Sequence, residues 1–520
     1  MTVELPEPES YWLVSAPAPS PGPAPELADV DVAVLGGGIA GVTTAHLLKQ
    51  AGLRVGLIEA RELLEGVTGH TTAKVSAQHG LIYADLARRL GTDAARAYGL
   101  SQLTALEWIR AEATRLGVDC EWSDRDSYVY GDEAGDLDAL REEADVAASL
   151  GLAASYVDTV DLPFPVAGAV RLANQAQFHP VRWLRALAAG LPGDGSYVAE
   201  GVRATDVHAG DPHRVVTDAG EFAARHVVVA THYPILDRGF FFARLEPVRE
   251  LVVAGPMPVA AAPAHMYISA GDGHSVRTTP YPDRASDGGA QVLAIVLGEH
   301  YRPGAEADVE GRHAALASWA LDRLGLSHIT YRWSAQDNVS VDRLPYIGRF
   351  SRRSQRLWVA TGFGQWGMTN GTLAGLLLRD LVCEHTRDGT SEWVELYDPA
   401  RLPSPGGLIR DQIAVAEHFV ADRLRAVGAR PPADLAPGEA ATTTVGTRLA
   451  AVRCDQDGTL VALSGRCTHL GCAVAFNDDE QTWDCPCHGS RFGLDGAVLA
   501  GPAVEPLSRL DLGDDSEPSA

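Results

Sequence analysis

Lysine is almost missing from this chain of 520 residues: Lys49 and Lys74 are the only two among 43 basic side chains. That excess of arginine is a bias of composition rather than the imprint of a binding face. Acids outnumber bases 68 to 43, a formal charge of −25, so a polyanion or an acidic membrane surface would be repelled. Long apolar runs are absent, and Tyr11-Trp12-Leu13-Val14 is far too short to span a bilayer. With neither a basic leader nor a twin-arginine signal, the expected compartment is the cytoplasm, with no nucleic acid partner and no membrane insertion. Cysteine is scarce too: of seven, Cys120, Cys383 and Cys454 are scattered singly, which is not a secreted disulfide framework. No closely spaced histidine pair with an acid suggests a mononuclear iron site, which argues against an oxygenase. At this length, with 46% hydrophobic residues, two or three globular domains are expected.

The remaining cysteines are concentrated. Cys467-Thr-His469-Leu-Gly-Cys472 is followed, after twelve residues, by Cys485-Pro-Cys487-His488-Gly489-Ser490. Each loop offers one Cys, one His and a spare Cys. A structural zinc ion would take four ligands in a tetrahedron and leave two of the six without a role. An iron–sulfur cluster with two thiolates on one iron and two imidazoles on the other uses this set better. The residues resemble the two cluster-binding boxes of the Rieske proteins. That resemblance implies Cys467, His469, Cys485 and His488 as ligands of a [2Fe-2S] cluster and Cys472–Cys487 as a disulfide stapling the loops. It also implies Gly501-Pro502 as the loop covering the cluster and Ser490 as a hydrogen-bond donor to a bridging sulfide. Phe492 stands where the high-potential respiratory members carry a Tyr whose hydroxyl bonds a cysteine sulfur. Without that bond the reduced cluster is less stabilised, and a lower potential is expected.

A second motif lies near the other end. The apolar strand Val30–Leu35 runs into Gly36-Gly37-Gly38-Ile39-Ala40-Gly41 and on into a helix, and a further strand ends in Glu59. Gly36 makes the tight turn, Gly38 admits a pyrophosphate at the helix N-terminus, and Gly41 lets helix and strand pack closely. Glu59 can accept hydrogen bonds from ribose hydroxyls. No second fingerprint of this kind appears, so the chain has no evident NAD(P)H site of its own. Later segments, Asp337–Gly348 and Leu357–Gly371 with Gly362, Gly364, Trp366, Gly367 and Met368, resemble the closing segments of the D-amino-acid oxidase/glycine oxidase family. The resemblance covers about residues 28–385 and implies FAD. It places the loop Thr68-Gly-His70-Thr71-Thr72-Ala-Lys74 under the flavin ring. Noncovalent contact there is the first expectation, with a covalent bond at His70 as the alternative, and Lys74 could place a positive charge near the flavin.

The expected architecture is an α/β FAD-binding Rossmann-like domain with an antiparallel-sheet substrate domain (α+β) and a small all-β C-terminal Rieske domain. The boundaries are an extended Pro-rich arm over 1–28, the flavoprotein over 29–398, a linker with a helix over 399–437, and the Rieske domain over 438–515. Within the flavoprotein, about 29–80, 175–235 and 336–398 bind FAD, while about 81–174 and 236–335 form cap and substrate layer. Apolar recurrences predict helices at Leu81–Leu90, Tyr98–Leu116 and Leu137–Leu150, and at Leu408–Val427 in the linker. Arg277, Tyr281 and His300 are the candidate catalytic residues, Arg277 as a bidentate clamp for a substrate carboxylate.

The whole arrangement resembles a bacterial group of Rieske-fused FAD-dependent oxidoreductases. It implies oxidation of a small amine or amino acid at a C–N bond, with electrons passing singly to the cluster and on to an external one-electron carrier. Two alternatives share these motifs: a cluster-fed reductive flavoenzyme drawing on a ferredoxin, and an oxygen-using oxidase whose Rieske domain only docks a partner.

Overall fold

The computed structural model describes residues 4–19, 26–281, 290–305, 308–384, 390–401 and 431–511. The expected linker helix at 408–427 lies outside them. Among the described residues no helix is long and apolar enough to cross a membrane.

The strand Val30–Leu35 is buried almost throughout, as a central parallel strand must be. It pairs in parallel with Gly220–Val229 on one side and Val55–Ile58 on the other, Val34 facing both Val228 and Leu57. Tyr197–Ala199 and Leu357–Thr361 extend this core, and an antiparallel hairpin strand, Tyr346–Arg349, closes one edge of an eight-stranded sheet. Its helices Ile39–Gln50 and Gly367–Val382 are buried nearly all round, Thr43, Thr44, Thr369, Asn370 and Thr372 included.

The second sheet has nine strands and is mostly antiparallel. The long strands Leu245–Pro258, Gln291–Tyr301 and Tyr331–Ser340 form its core, and Ser275–Pro280 and Met266–Ser269 follow. Helices at Tyr83–Leu90, Thr92–Leu116 and Leu137–Ser149 fall where apolar recurrence predicts them. The stretch between and after these helices is not all helical, however: Ser123–Gly131, Ala154–Val157 and Gly168–Gln177 join the second sheet. Ser123–Gly131 opens with four charged or polar residues and becomes fully buried only from Ser127, so alternation is too weak to signal a strand.

The N-terminal arm also differs from expectation. Residues Tyr11–Ser15 form a helical turn whose Tyr11 and Trp12 are buried. The Trp12 indole N–H donates to Thr71 O at 2.7 Å, so burying two aromatic rings fixes a segment whose prolines suggest only an extended tail.

The C-terminal domain consists of two four-stranded antiparallel sheets. One holds Ala440–Val445, Arg448–Cys454, Leu460–Ser464 and Arg509–Leu510, and the other holds Ala475–Asn477, Thr482–Asp484, Arg491–Phe492 and Val498–Ala500. The cysteine loops occupy the connection between the sheets and the turn after Thr482–Asp484.

Candidate functional site

A cavity of about 490 Å³ opens at the C-terminal ends of the parallel strands. Gly36 to Ala40 form its floor with Glu59, and His70, Thr71, Thr72, Gly367 and Met368 line it further along. The turn is compact for steric reasons. Gly36 has φ +107°, and a Cβ there would overlap Ala230 O, while one on Gly41 would overlap Gly36 O. Glu59 Oε2 accepts from Gly37 N at 2.6 Å and Thr68 Oγ1 accepts from Ile39 N at 3.0 Å, fixing the loop from below. A cradle this narrow, with backbone N–H groups at a helix N-terminus and an acid beside it, fits a dinucleotide.

The roof of the cavity comes from the second sheet: Arg249, Glu250, Ser334, Gln336 and Asp337. Part of its wall comes from the C-terminal domain, through Glu480, Thr482, Arg491, Ala500, Gly501 and Val504. Buried polar contacts join the two: Arg249 donates to Glu480 and Ser334, Arg332 pairs with Asp479, whose other oxygen meets His313, and within the C-terminal domain Glu480 also holds Arg491 at 2.8 Å. Glu480 is held at about 2, since the two guanidinium charges outweigh burial. Burial of these charges is tolerable only because each is matched.

The cysteine loops meet beside this wall. Cys472 and Cys487 form a disulfide, while Cys467 and Cys485 stand outside it, both buried. Their sulfurs interact: contact with Cys485 holds Cys467 below its ordinary range, and the same contact pushes Cys485 up. The His469 and His488 rings stand 4.9 Å apart. Nδ1 of His469 and both ring nitrogens of His488 are buried without a hydrogen-bond partner. Burial holds His488 at about 3, hence neutral, as a metal ligand must be. Two thiols and two imidazoles with unpartnered nitrogens are a donor set that fits an iron–sulfur cluster. Ser490 is fully buried, its hydroxyl reaching Cys467 and accepting from Ala503 N at 3.2 Å, and Phe492 is fully buried in the core of this domain.

Several residues singled out in the sequence stand elsewhere. Arg277 does not line the cavity. Its Nη1 donates to the carbonyls of Thr72 and Ala73, both at 3.0 Å, and its guanidinium packs over Trp12, so it braces the 71–73 loop from behind instead of facing a substrate. Burial lowers it to about 9. Tyr281 packs at the edge of the core near Tyr11. His300 also stands outside the cavity, but its Nδ1 holds the cavity-lining Glu250 at 2.8 Å, which raises the imidazole's pKa. Trp366 stacks on His79 at 4.6 Å and does not line the cavity either, and Gly362 and Gly364 shape the turn with φ of +74° and +55°. His70 lines the cavity, with Nδ1 2.9 Å from Gly66 O. Glu250, Gln336 and Glu480 carry no local sequence signal; only strand pairing and domain contact bring them to the cavity.

Lys74 is likewise behind the wall. Its ammonium donates to Tyr267 O at 2.7 Å and to Ser275, and burial first, then Arg277, lowers it to about 7 from 10.5. Between those two pH values the unfolded chain binds a proton that the folded chain does not, so this group makes stability rise with pH. In urea titrations from pH 7 to 10.5, the native protein should gain stability relative to Lys74→Met, by at most about 1.4 kcal/mol per pH unit.

Residues 31–381 match the family profile of FAD dependent oxidoreductases and residues 426–511 that of the Rieske [2Fe-2S] domain. The chain belongs to the FAD-dependent oxidoreductases and carries a C-terminal Rieske domain; the first region binds FAD and the second a [2Fe-2S] cluster. A Bacillus subtilis chain described as a Rieske 2Fe-2S iron–sulfur protein is 35% identical over 97% of this chain and 98% of its own length. The iron–sulfur subunit 1 of the Synechocystis cytochrome b6-f complex is 48% identical over 59 residues, 11% of this chain and 33% of that one. Glycine oxidase from Geobacillus kaustophilus superposes with a TM-score of 0.58 at 20% identity, over 72% of this chain and all of that one. L-proline dehydrogenase from P. horikoshii gives 0.55 at 17%, over 72% and 98%. At such identities these two establish the fold alone.

Proposed function

We propose that this protein oxidises a C–N bond of a small amine or amino acid and passes the electrons singly, through its own Rieske domain, to an external one-electron carrier. FAD supplies the two-electron chemistry and the cluster the one-electron chemistry. In this reading Gly36, Gly38, Ile39, Ala40, Gly41 and Glu59 hold the dinucleotide, and His70, Thr71, Thr72, Gly367 and Met368 surround the ring. Cys467 and Cys485 hold one iron and His469 and His488 the other. Glu250, held by His300, and Asp337, which burial raises to about 7, replace Arg277 as the polar groups facing a substrate. The amine's α C–H needs mainly orientation, so no strong protein base is required.

The observation that carries the reading is the thinness of the layer between cavity and cluster loops. Gln336 lines the cavity and donates to Gly489 O at 2.8 Å. Gly501 lines it too, and a Cβ there would lie 2.5 Å from Ser490 Cα. Anaerobic addition of candidate amines and amino acids should bleach the flavin and then reduce the cluster. If none does so while reduced ferredoxin reduces both centres, the reductive direction is correct instead. Stoichiometric hydrogen peroxide that is unaffected by loss of the cluster would identify an oxidase with a docking module.

A further inference from the structure

The segment after the central strand Gly220–Val229 touches both redox sites. Thr231, His232 and Ile235 line the cavity. Two residues before Ile235, the Tyr233 ring lies 6.4 Å from His469 and 6.0 Å from His488, and Phe242 lies 6.2 Å from His488. Between them, Asp237 Oδ1 stands 3.0 Å from His469 Nε2. The His469 side chain is only 6% exposed, and its other nitrogen, Nδ1, is buried without a partner. Were Nδ1 to hold the cluster, Nε2 would carry the proton and donate it to the carboxylate. From this geometry we infer that Asp237, a residue of the flavin domain, is a positioning residue that orients His469 and lowers the reduction potential of the cluster while the two domains are docked.

The physical reason is charge. Reduction adds one negative charge to the cluster, and a carboxylate hydrogen-bonded to one of its ligands disfavours that charge and makes the imidazole a stronger donor. The effect belongs to the docked arrangement, since the acid and the histidine come from different domains. It therefore links the potential of the cluster to its contact with the flavin domain, beyond any tuning inside the Rieske domain itself.

The inference rests on His469 being a cluster ligand. That assignment is tested separately: His469→Ala should lose the cluster signal, and retention of it would sink the assignment. Equilibrium redox titration of the full holoprotein at fixed pH, followed by the cluster's paramagnetic signal, tests Asp237. Asp237→Asn keeps an acceptor but removes the charge, and should shift the oxidised-to-reduced ratio at fixed potential about tenfold toward reduced, equal to 59 mV for one electron. Asp237→Glu keeps the charge and should titrate near the native protein. Asp495→Asn, a carboxylate change in the Rieske domain where Asp495 accepts from the backbone of Ala497, should also leave the potential unchanged. An Asp237→Asn protein with full cluster content and the native potential would overturn the inference, as would equal shifts for Asn and Glu.

Discussion

Cys485→Ser is expected to yield a folded, yellow protein without a Rieske signal, in which substrate still bleaches the flavin anaerobically but turnover with an external one-electron acceptor falls by at least about two orders of magnitude. The thiol is buried beside Cys467 and the two histidines, so no solvent ligand can replace it in place. The loops survive because the Cys472–Cys487 disulfide, closing 15 residues, holds them independently of metal. Such a closure is worth about 3 kcal/mol in the chain-entropy account. Metal analysis, paramagnetic resonance and a stopped-flow trace of flavin absorbance check the three parts. Undiminished acceptor turnover in the cluster-free variant would remove the cluster from the reaction.

Gly41→Ala should be the most damaging single substitution outside the cluster loops. The added methyl would overlap the carbonyl oxygen of Gly36, and both atoms belong to rigid elements, the start of the helix Ile39–Gln50 and the turn beneath it. Nothing flexible can yield, so helix and turn must separate, at a cost of about 3 kcal/mol, the upper end for an overpacked methyl. The same displacement opens the cradle for the dinucleotide. The purified variant should contain little or no FAD, and thermal unfolding should show a lower midpoint that added FAD does not restore. A variant with native FAD content would mean that the turn is more pliable than its packing suggests.

What the residues announced in advance follows from local rules. The glycine turn, Glu59 and the cysteine–histidine loops are legible because each carries its chemistry in consecutive residues whose spacing is set by one turn or one ligand geometry. Helices with apolar recurrence were legible for the same reason. The strands Ser123–Gly131 and Gly168–Gln177 were not, because their burial is decided by pairing partners 37 to 54 residues away. Arg277 shows the same limit at a single side chain. On a buried strand an arginine reads as a clamp for an anion, yet three backbone carbonyls of the 72–73 and 178 segments and the Trp12 ring reach it first.

The sequence by itself therefore determined which cofactors this protein holds, because FAD and cluster are each recognised by short contiguous motifs. Only the tertiary structure decided how the two sites stand to each other. The pairing of Leu245–Pro258 with Tyr331–Ser340 sets Arg249, Glu250 and Gln336 on one roof, and matched buried charges at Arg249, Glu480 and Arg491 press the Rieske domain against it. Arg249 and Glu480 are 231 residues apart along the chain, and the requirement that no charge be buried unpaired is a property of the assembled interface, not of any segment.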